Sequence, residues 1–102
     1  MLVNLTPHII SEVVSGLKIQ PFGTVARVSV TKTSVGNLEG CPLFTTETGE
    51  VTNLPDAQDS VWYIVSAQVR MALPERKDLL SPGDLVRDDE GRPIGCNGFN
   101  RN

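Results

Sequence analysis

One continuous apolar run, Val61 to Val65, constrains the fold of this chain more than any other feature. The run leaves no polar face, and three of its five residues are β-branched. This pattern is typical of a strand that is buried on both of its faces. We therefore expect residues 61–65 to form the central strand of a β-rich domain.

Proline and glycine divide the rest of the chain into short segments. Residues 13–20 have the pattern of a tight hairpin, and residues 24–33 are rich in β-branched residues and predict a strand. A second hairpin is predicted where residues 85–88 and 92–95 flank Asp89-Glu90-Gly91. Ser66 is a suitable N-cap for a short helix over residues 67–73, which Pro74 would end.

Two further segments have the composition of loops. Apolar residues are sparse between Val35 and Gln58, where glycines and prolines separate short β-like pieces such as 43–46 and 50–52. Residues 74–84 are polar and bounded by prolines. At 102 residues the chain is expected to be one domain, residues 1–102. The predicted fold class is mainly β (β-rich α+β), a small antiparallel barrel or curled sheet with one short helix.

Composition excludes several functional classes. The formal net charge is −3, which has the wrong sign for a protein that binds long nucleic acids. No apolar run approaches the roughly 20 residues needed to span a bilayer, and the N-terminus lacks the pattern of a signal peptide. We therefore expect a cytoplasmic protein with no membrane or long nucleic-acid partner.

The thiol and imidazole groups are too few for a zinc site. The chain has one histidine, His8, and two cysteines, Cys41 and Cys96, which do not form a CxxC motif. In the expected compartment both cysteines would remain free thiols. We predict no structural metal and no cofactor.

Asn4 and His8 flank the predicted bend at Thr6-Pro7, where both side chains have hydrogen-bonding groups to offer a ligand. The alternative is that His8 closes a turn by bonding to the backbone. Arg27 interrupts a strand of small and β-branched residues, so it faces either the solvent or a pocket across the sheet. Its planar guanidinium suits phosphate or carboxylate oxygens.

The last third of the chain supplies two more arginines with acidic neighbours, Arg76 with Asp78 and Arg87 with Asp88. The simpler explanation of each pair is a surface ion pair that contributes less than about 1 kcal/mol. The candidate ligand-binding residues are Asn4, His8, Arg27, Arg76, Asp78, Arg87 and Asp88. No motif of a nucleophile elbow, phosphate-binding loop or metalloprotease is present.

Several separated blocks together resemble a family of small uncharacterised proteins of phages and prophages: Asn4-Leu5-Thr6-Pro7-His8, Val25-Ala26-Arg27-Val28, Tyr63-Ile64-Val65-Ser66, Pro74-Glu75-Arg76-Lys77-Asp78 and Val86-Arg87-Asp88-Asp89-Glu90-Gly91. The resemblance covers nearly the whole chain. It implies a viral accessory protein in a bacterial cytoplasm, where small phage proteins counter host defence. Some such proteins are β-rich oligomers that sequester nucleotide immune signals.

Three functional hypotheses follow. The first is a non-enzymatic binding module, a homo-oligomer, that captures a small anionic nucleotide-like ligand through its arginines. The second is a protein-binding inhibitor of a host defence enzyme, or a phage assembly factor, that acts through a sheet edge or the 35–58 segment. The third is a small hydrolase or lyase that uses His8 with a carboxylate of Asp78 or Asp88.

Overall fold

A computed structural model describes all 102 residues of the chain. Eight strands and one helix follow one another in the order β1 (Leu2–Asn4), β2 (Ile10–Ser11), β3 (Lys18–Ile19), β4 (Arg27–Leu38), β5 (Cys41–Thr52), β6 (Trp62–Ile64), α1 (Ala67–Ala72), β7 (Leu79–Arg87) and β8 (Pro93–Arg101). Strands account for 53% of the residues and the helix for 6%, which confirms a β-rich fold with one short helix. No helix of the chain is long and apolar enough to cross a membrane.

The main sheet has four strands in the order β1-β6-β7-β8. As predicted from the apolar run, β6 is internal and Tyr63, Ile64 and Val65 are buried, whereas Trp62 at its start is exposed. The sheet is mixed rather than antiparallel throughout, because β6 runs parallel to both β1 and β7. The physical reason is α1, which carries the chain across one face of the sheet between β6 and β7 and so returns it in the same direction.

The predicted helix is confirmed, with the predicted cap. Its first turn is fixed by Ser66, whose hydroxyl accepts a hydrogen bond from the backbone N–H of Val69 at 3.3 Å. Val69 turns its side chain into the core, which is a single cluster of buried residues comprising Val3, Leu5, Ala26, Tyr63, Val65, Val69 and Leu79. The helix therefore covers the central strands and completes the core.

The N-terminal segment curls the sheet. β2 and β3 form a small antiparallel hairpin, close to the one predicted over residues 13–20. Single β-bridges join Glu12 to Cys96 of β8 and Asn4 of β1 to Pro21. The hairpin thus extends from one side of the sheet to the other. The sheets remain open, so the structure is a curled sheet and not a closed barrel.

The largest departure from the sequence prediction is the segment from Val35 to Gln58, which is mostly strand. β4 continues to Leu38, and Cys41–Thr52 forms β5, so the two 12-residue strands make an antiparallel ribbon about 40 Å long. Nearly every ribbon residue is exposed. The predicted β-like pieces 43–46 and 50–52 lie in β5, but the loop-like character predicted for the rest of the segment was wrong, because a strand exposed on both faces needs no alternation of apolar and polar residues.

The prediction of a loop over residues 74–84 was wrong in its second half, because β7 begins at Leu79 and continues through Pro82 and Gly83. A proline is tolerated at this position because β6 pairs with β7 only at Leu79 and Leu80, so Pro82 has no β6 partner. The hairpin predicted around Asp89-Glu90-Gly91 is confirmed, and it joins β7 to β8.

The close packing of β7 on β8 yields a prediction about stability. A Cβ atom at Gly83 would overlap the backbone carbonyl oxygens of Asn97 and Gly98, neither of which can move aside as a flexible side chain could. We expect Gly83→Ala to lower the free energy of unfolding by about 1–3 kcal/mol, measured by urea denaturation. Asp84→Ala, at the next and exposed position, should stay within about 0.5 kcal/mol of wild type. Equal effects of the two substitutions would contradict this packing.

Candidate functional site

Asn4 is a structural residue in this fold, because its side chain is buried and every polar atom of that side chain is bonded within the chain. Its Nδ2 donates to the carbonyl oxygens of His8 at 2.7 Å and Ile19 at 3.0 Å. Its Oδ1 accepts from the hydroxyl of Thr6 at 2.6 Å and from the Thr6 backbone N–H at 3.0 Å. No donor or acceptor of Asn4 is left for a ligand.

His8 lies on the surface at the bend that Asn4 holds. Its imidazole forms no hydrogen bond, and both carboxylates proposed as its partner are bonded to other groups. Asp78 accepts two hydrogen bonds from Arg76, and Asp88 accepts from the backbone N–H groups of Glu90 and Arg92. The side chain of His8 instead lines an apolar groove, described below.

Arg76 and Asp78 form a bidentate ion pair, with both N–O distances at 2.8 Å and both side chains largely buried. The paired hydrogen bonds lower the pKa of Asp78 and raise the pKa of Arg76. Arg76 also donates to the carbonyl oxygen of Pro55. This pair therefore fastens the segment after the ribbon to the loop before β7.

The other two candidate arginines lie elsewhere. Arg27 is exposed at the start of β4, opposite Thr52. Arg87 is exposed near the end of β7 and donates to the carbonyl oxygen of Gly91 in its own hairpin. Within one chain, none of three surface cavities is lined by more than one of His8, Arg27, Arg76 and Arg87. The seven predicted residues therefore do not form one site in a single copy.

One structural carboxylate was not singled out by the sequence. Glu12 is buried, and its two carboxylate oxygens accept four hydrogen bonds, from the Ser15 hydroxyl and the backbone N–H groups of Ser15, Val14 and Gly98. Led by the bond from Ser15, these donors lower the pKa of Glu12 from 4.5 to about 2. The carboxylate thereby ties the β2–β3 turn to β8.

The ribbon carries the first of two exposed apolar surfaces. Its strands are joined by a tight turn in which Glu39 and Gly40 both have positive φ, at 51° and 83°. We call residues 35–44 the ribbon end. Its large apolar side chains are 41% to 63% exposed, and they belong to Val35, Leu38, Leu43 and Phe44. The ammonium group of Lys32 lies 4.6 Å from the centre of the Phe44 ring.

One face of the ribbon continues the surface that packs on the core. Directly opposed residues of an antiparallel pair share a face, and this face carries the pairs Val28–Val51, Val30–Thr48, Lys32–Thr46 and Ser34–Phe44. Val28 and Val51 pack against the core cluster, whereas Val30 and Phe44 further out are exposed. This face is therefore buried against the core at the base of the ribbon and exposed to solvent along the rest of the ribbon.

The second exposed apolar surface is a groove of about 500 Å³ between the segment His8–Ser11 and the β7–β8 hairpin. Its apolar lining includes Ile9, Leu85 and Ile94, each of which is more than half exposed. We call it the apolar groove. Within its own chain, the ribbon contacts α1, and no ribbon residue lines this groove.

The second functional hypothesis named residues 35–58, which include the ribbon end, as a protein-binding surface, whereas no pattern in the sequence indicated the apolar groove. A usable signal for the ribbon was present, since Thr45, Thr46, Thr48, Val51 and Thr52 are β-branched and no proline interrupts them.

Comparison with protein-family models, curated proteins and solved structures gave no match.

The network around Asn4 predicts that this residue matters for folding. Asn4→Asp removes the two donors that satisfy the His8 and Ile19 carbonyls and buries a carboxylate facing them. We expect it to lower the free energy of unfolding by at least about 2 kcal/mol, measured by urea denaturation. Asn100→Asp, at an exposed position of β8, is the matched control and should change stability little. A stable, folded Asn4→Asp variant would show that the bonds are dispensable.

The hydrogen bonds of Glu12 predict that the protein loses stability at acid pH. Its pKa is lowered on folding, so it stabilises the folded state fully above pH 4.5, and this contribution disappears as the pH falls toward 2. We expect the unfolding free energy of Glu12→Gln to be lower than wild type at pH 7 and to fall less steeply between pH 4.5 and 2. Glu90→Gln, at an exposed surface pair, should keep the wild-type slope. Identical pH profiles for all three proteins would contradict this role.

Proposed function

We propose that this chain is a non-enzymatic protein-binding module and that the ribbon end, residues 35–44, makes the contact. The observation that carries the proposal is the exposure of both strands of β4–β5. An isolated two-stranded hairpin is marginally stable in water and gains stability from a third strand or a packed face. A partner that covers the ribbon supplies that face.

The charges of the ribbon favour a protein partner over a nucleic acid. Residues 27–52 contain the cations Arg27 and Lys32 and the carboxylates Glu39, Glu47 and Glu50. A β-ribbon that enters a groove of DNA needs an excess of positive charge, which this ribbon lacks. Its apolar end with few charges is typical of the centre of a protein–protein interface.

The resemblance to small phage and prophage proteins suggests where such a partner would be found. A phage protein that binds other proteins acts either on a host defence enzyme or during assembly of the virus particle, in the bacterial cytoplasm. Both roles need binding and neither needs catalysis. The proposal therefore includes an anti-defence inhibitor and an assembly factor.

The alternative hypothesis, a nucleotide-like ligand, requires a phosphate-binding site. No two of Arg27, Arg76 and Arg87 line a common cavity in one chain, so we expect a phosphate-binding site to combine arginines of different copies. In addition, Asp78 already holds Arg76 through two hydrogen bonds. A phosphate would have to compete with that carboxylate.

The proposal predicts that protein cross-links form at the ribbon end. Phe44 and Phe22 are both exposed phenylalanines, at 50% and 67%, and each accepts an aromatic photo-cross-linking residue with little change in shape. In the host bacterium, we expect irradiation of the variant labelled at position 44 to give protein adducts at least about five times as abundant as those from position 22. Mass spectrometry of the adducts identifies the protein captured, including a second copy of the chain.

Equal adducts from both positions, or adducts to lipid alone at position 44, would contradict the proposal. The small-ligand hypothesis is tested in parallel by calorimetry of the purified protein with mono-, di- and cyclic nucleotides. Binding that Arg76→Ala abolishes, together with absent protein adducts, would favour that hypothesis instead.

A further inference from the structure

We infer that the ribbon end of one copy binds in the apolar groove of a second copy of the same chain. The inference rests on the proposed function, because it takes the ribbon end to be the protein-binding element and identifies its partner. Three observations support it: the surface area of the chain, the size of its core, and the match between the two apolar surfaces.

The chain exposes more surface than a compact monomer of its mass. Its accessible surface is 7048 Å², whereas a folded monomer of 11.1 kDa has about 5,650 Å². The radius of gyration is 16.3 Å, against about 13 Å for a compact domain of this length. The excess of about 1,400 Å² is larger than the roughly 800 Å² that each partner buries in a stable complex.

The core is small for the length of the chain. Only 13 of 102 residues are buried, and seven of them form the main cluster. A domain that buries so little needs its partner from the time it folds, and not only at a later encounter. A second copy is the partner that is always present when the chain is made, and homo-oligomers are the commonest assemblies.

The two exposed apolar surfaces of the chain are suited to each other. The ribbon end is a narrow projection with four large apolar side chains, and the apolar groove is a concavity lined by Ile9, Leu85 and Ile94. Cysteines aside, Glu39 is the only ionisable residue of the ribbon end, and His8 is the only one that lines the groove. Their contact therefore buries no like-charged pair. Reciprocal exchange of two ribbon ends would close a two-fold dimer.

Sedimentation tests whether the chain associates through the ribbon end. We expect the wild-type protein to sediment as an oligomer at about 10 μM, within the range of stable interfaces of standard size. Leu38→Ser and Leu43→Ser should each raise the dissociation constant at least tenfold. Met71→Ser, which removes an equally exposed apolar side chain from α1, should change it less than about twofold. A wild-type monomer at 100 μM, or equal effects of all three substitutions, would overturn the inference.

Directed cross-linking tests whether the groove receives the ribbon end. One chain carries Cys96→Ala and retains Cys41 of the ribbon end, which is exposed. A second chain, distinguished by a tag, carries Cys41→Ser, Cys96→Ala and Ile94→Cys in the groove. We expect a short bismaleimide to join the two chains at least ten times more efficiently than when Gln68→Cys, on the exposed side of α1, replaces Ile94→Cys. Equal cross-linking at positions 94 and 68 would overturn the inference.

The failure of this inference is distinguishable from the failure of the proposed function. Suppose that the wild-type protein is monomeric and that position 44 forms adducts with a different protein. The second copy is then not the partner, but the ribbon end is still a protein-binding element. If the protein is monomeric and position 44 forms no protein adducts, both this inference and the proposed function are wrong. Circular dichroism of every variant, compared with wild type, shows whether the fold is retained.

Discussion

The fold depends on the side chain of one buried amide, Asn4. Its four hydrogen bonds hold together the end of β1, the Thr6–His8 bend and β3. A small core cannot fix the path of such a segment by packing alone, so directional bonds define it. Glu12 does the same at the opposite side of the sheet, where it ties the next turn to β8.

Much of the fold was predictable where the sequence pattern reports burial. The run 61–65 identified the central strand, and Ser66 followed by Pro74 identified the helix, because a buried strand and a capped helix each leave a local signature. The ribbon left only a weak one, a run of β-branched residues, because most of its length is exposed on both faces. The parallel pairing of β6 with β1 joins residues about 60 positions apart, and local patterns carry no information about such contacts.

The candidate site was less predictable than the fold. Asn4, Arg76 and Asp78 were chosen for their chemistry, and the structure uses that chemistry to hold its own segments together. A polar side chain looks the same in sequence whether its partner is a ligand or the backbone. The exposed apolar residues were unpredictable for a different reason. In the sequence, Leu38 and Phe44 look like core residues, and only the fold places them on the surface.

The separation of ribbon and core has a consequence for how this protein can evolve. Residues of the ribbon end contact few residues of the domain that carries them, so substitutions there cost little packing within the chain. Val28 and Val51, at its base, remain under the constraint of the core. Residues 35–44 can thus change without loss of packing in their own chain, so their sequence is constrained chiefly by the surface that contacts them.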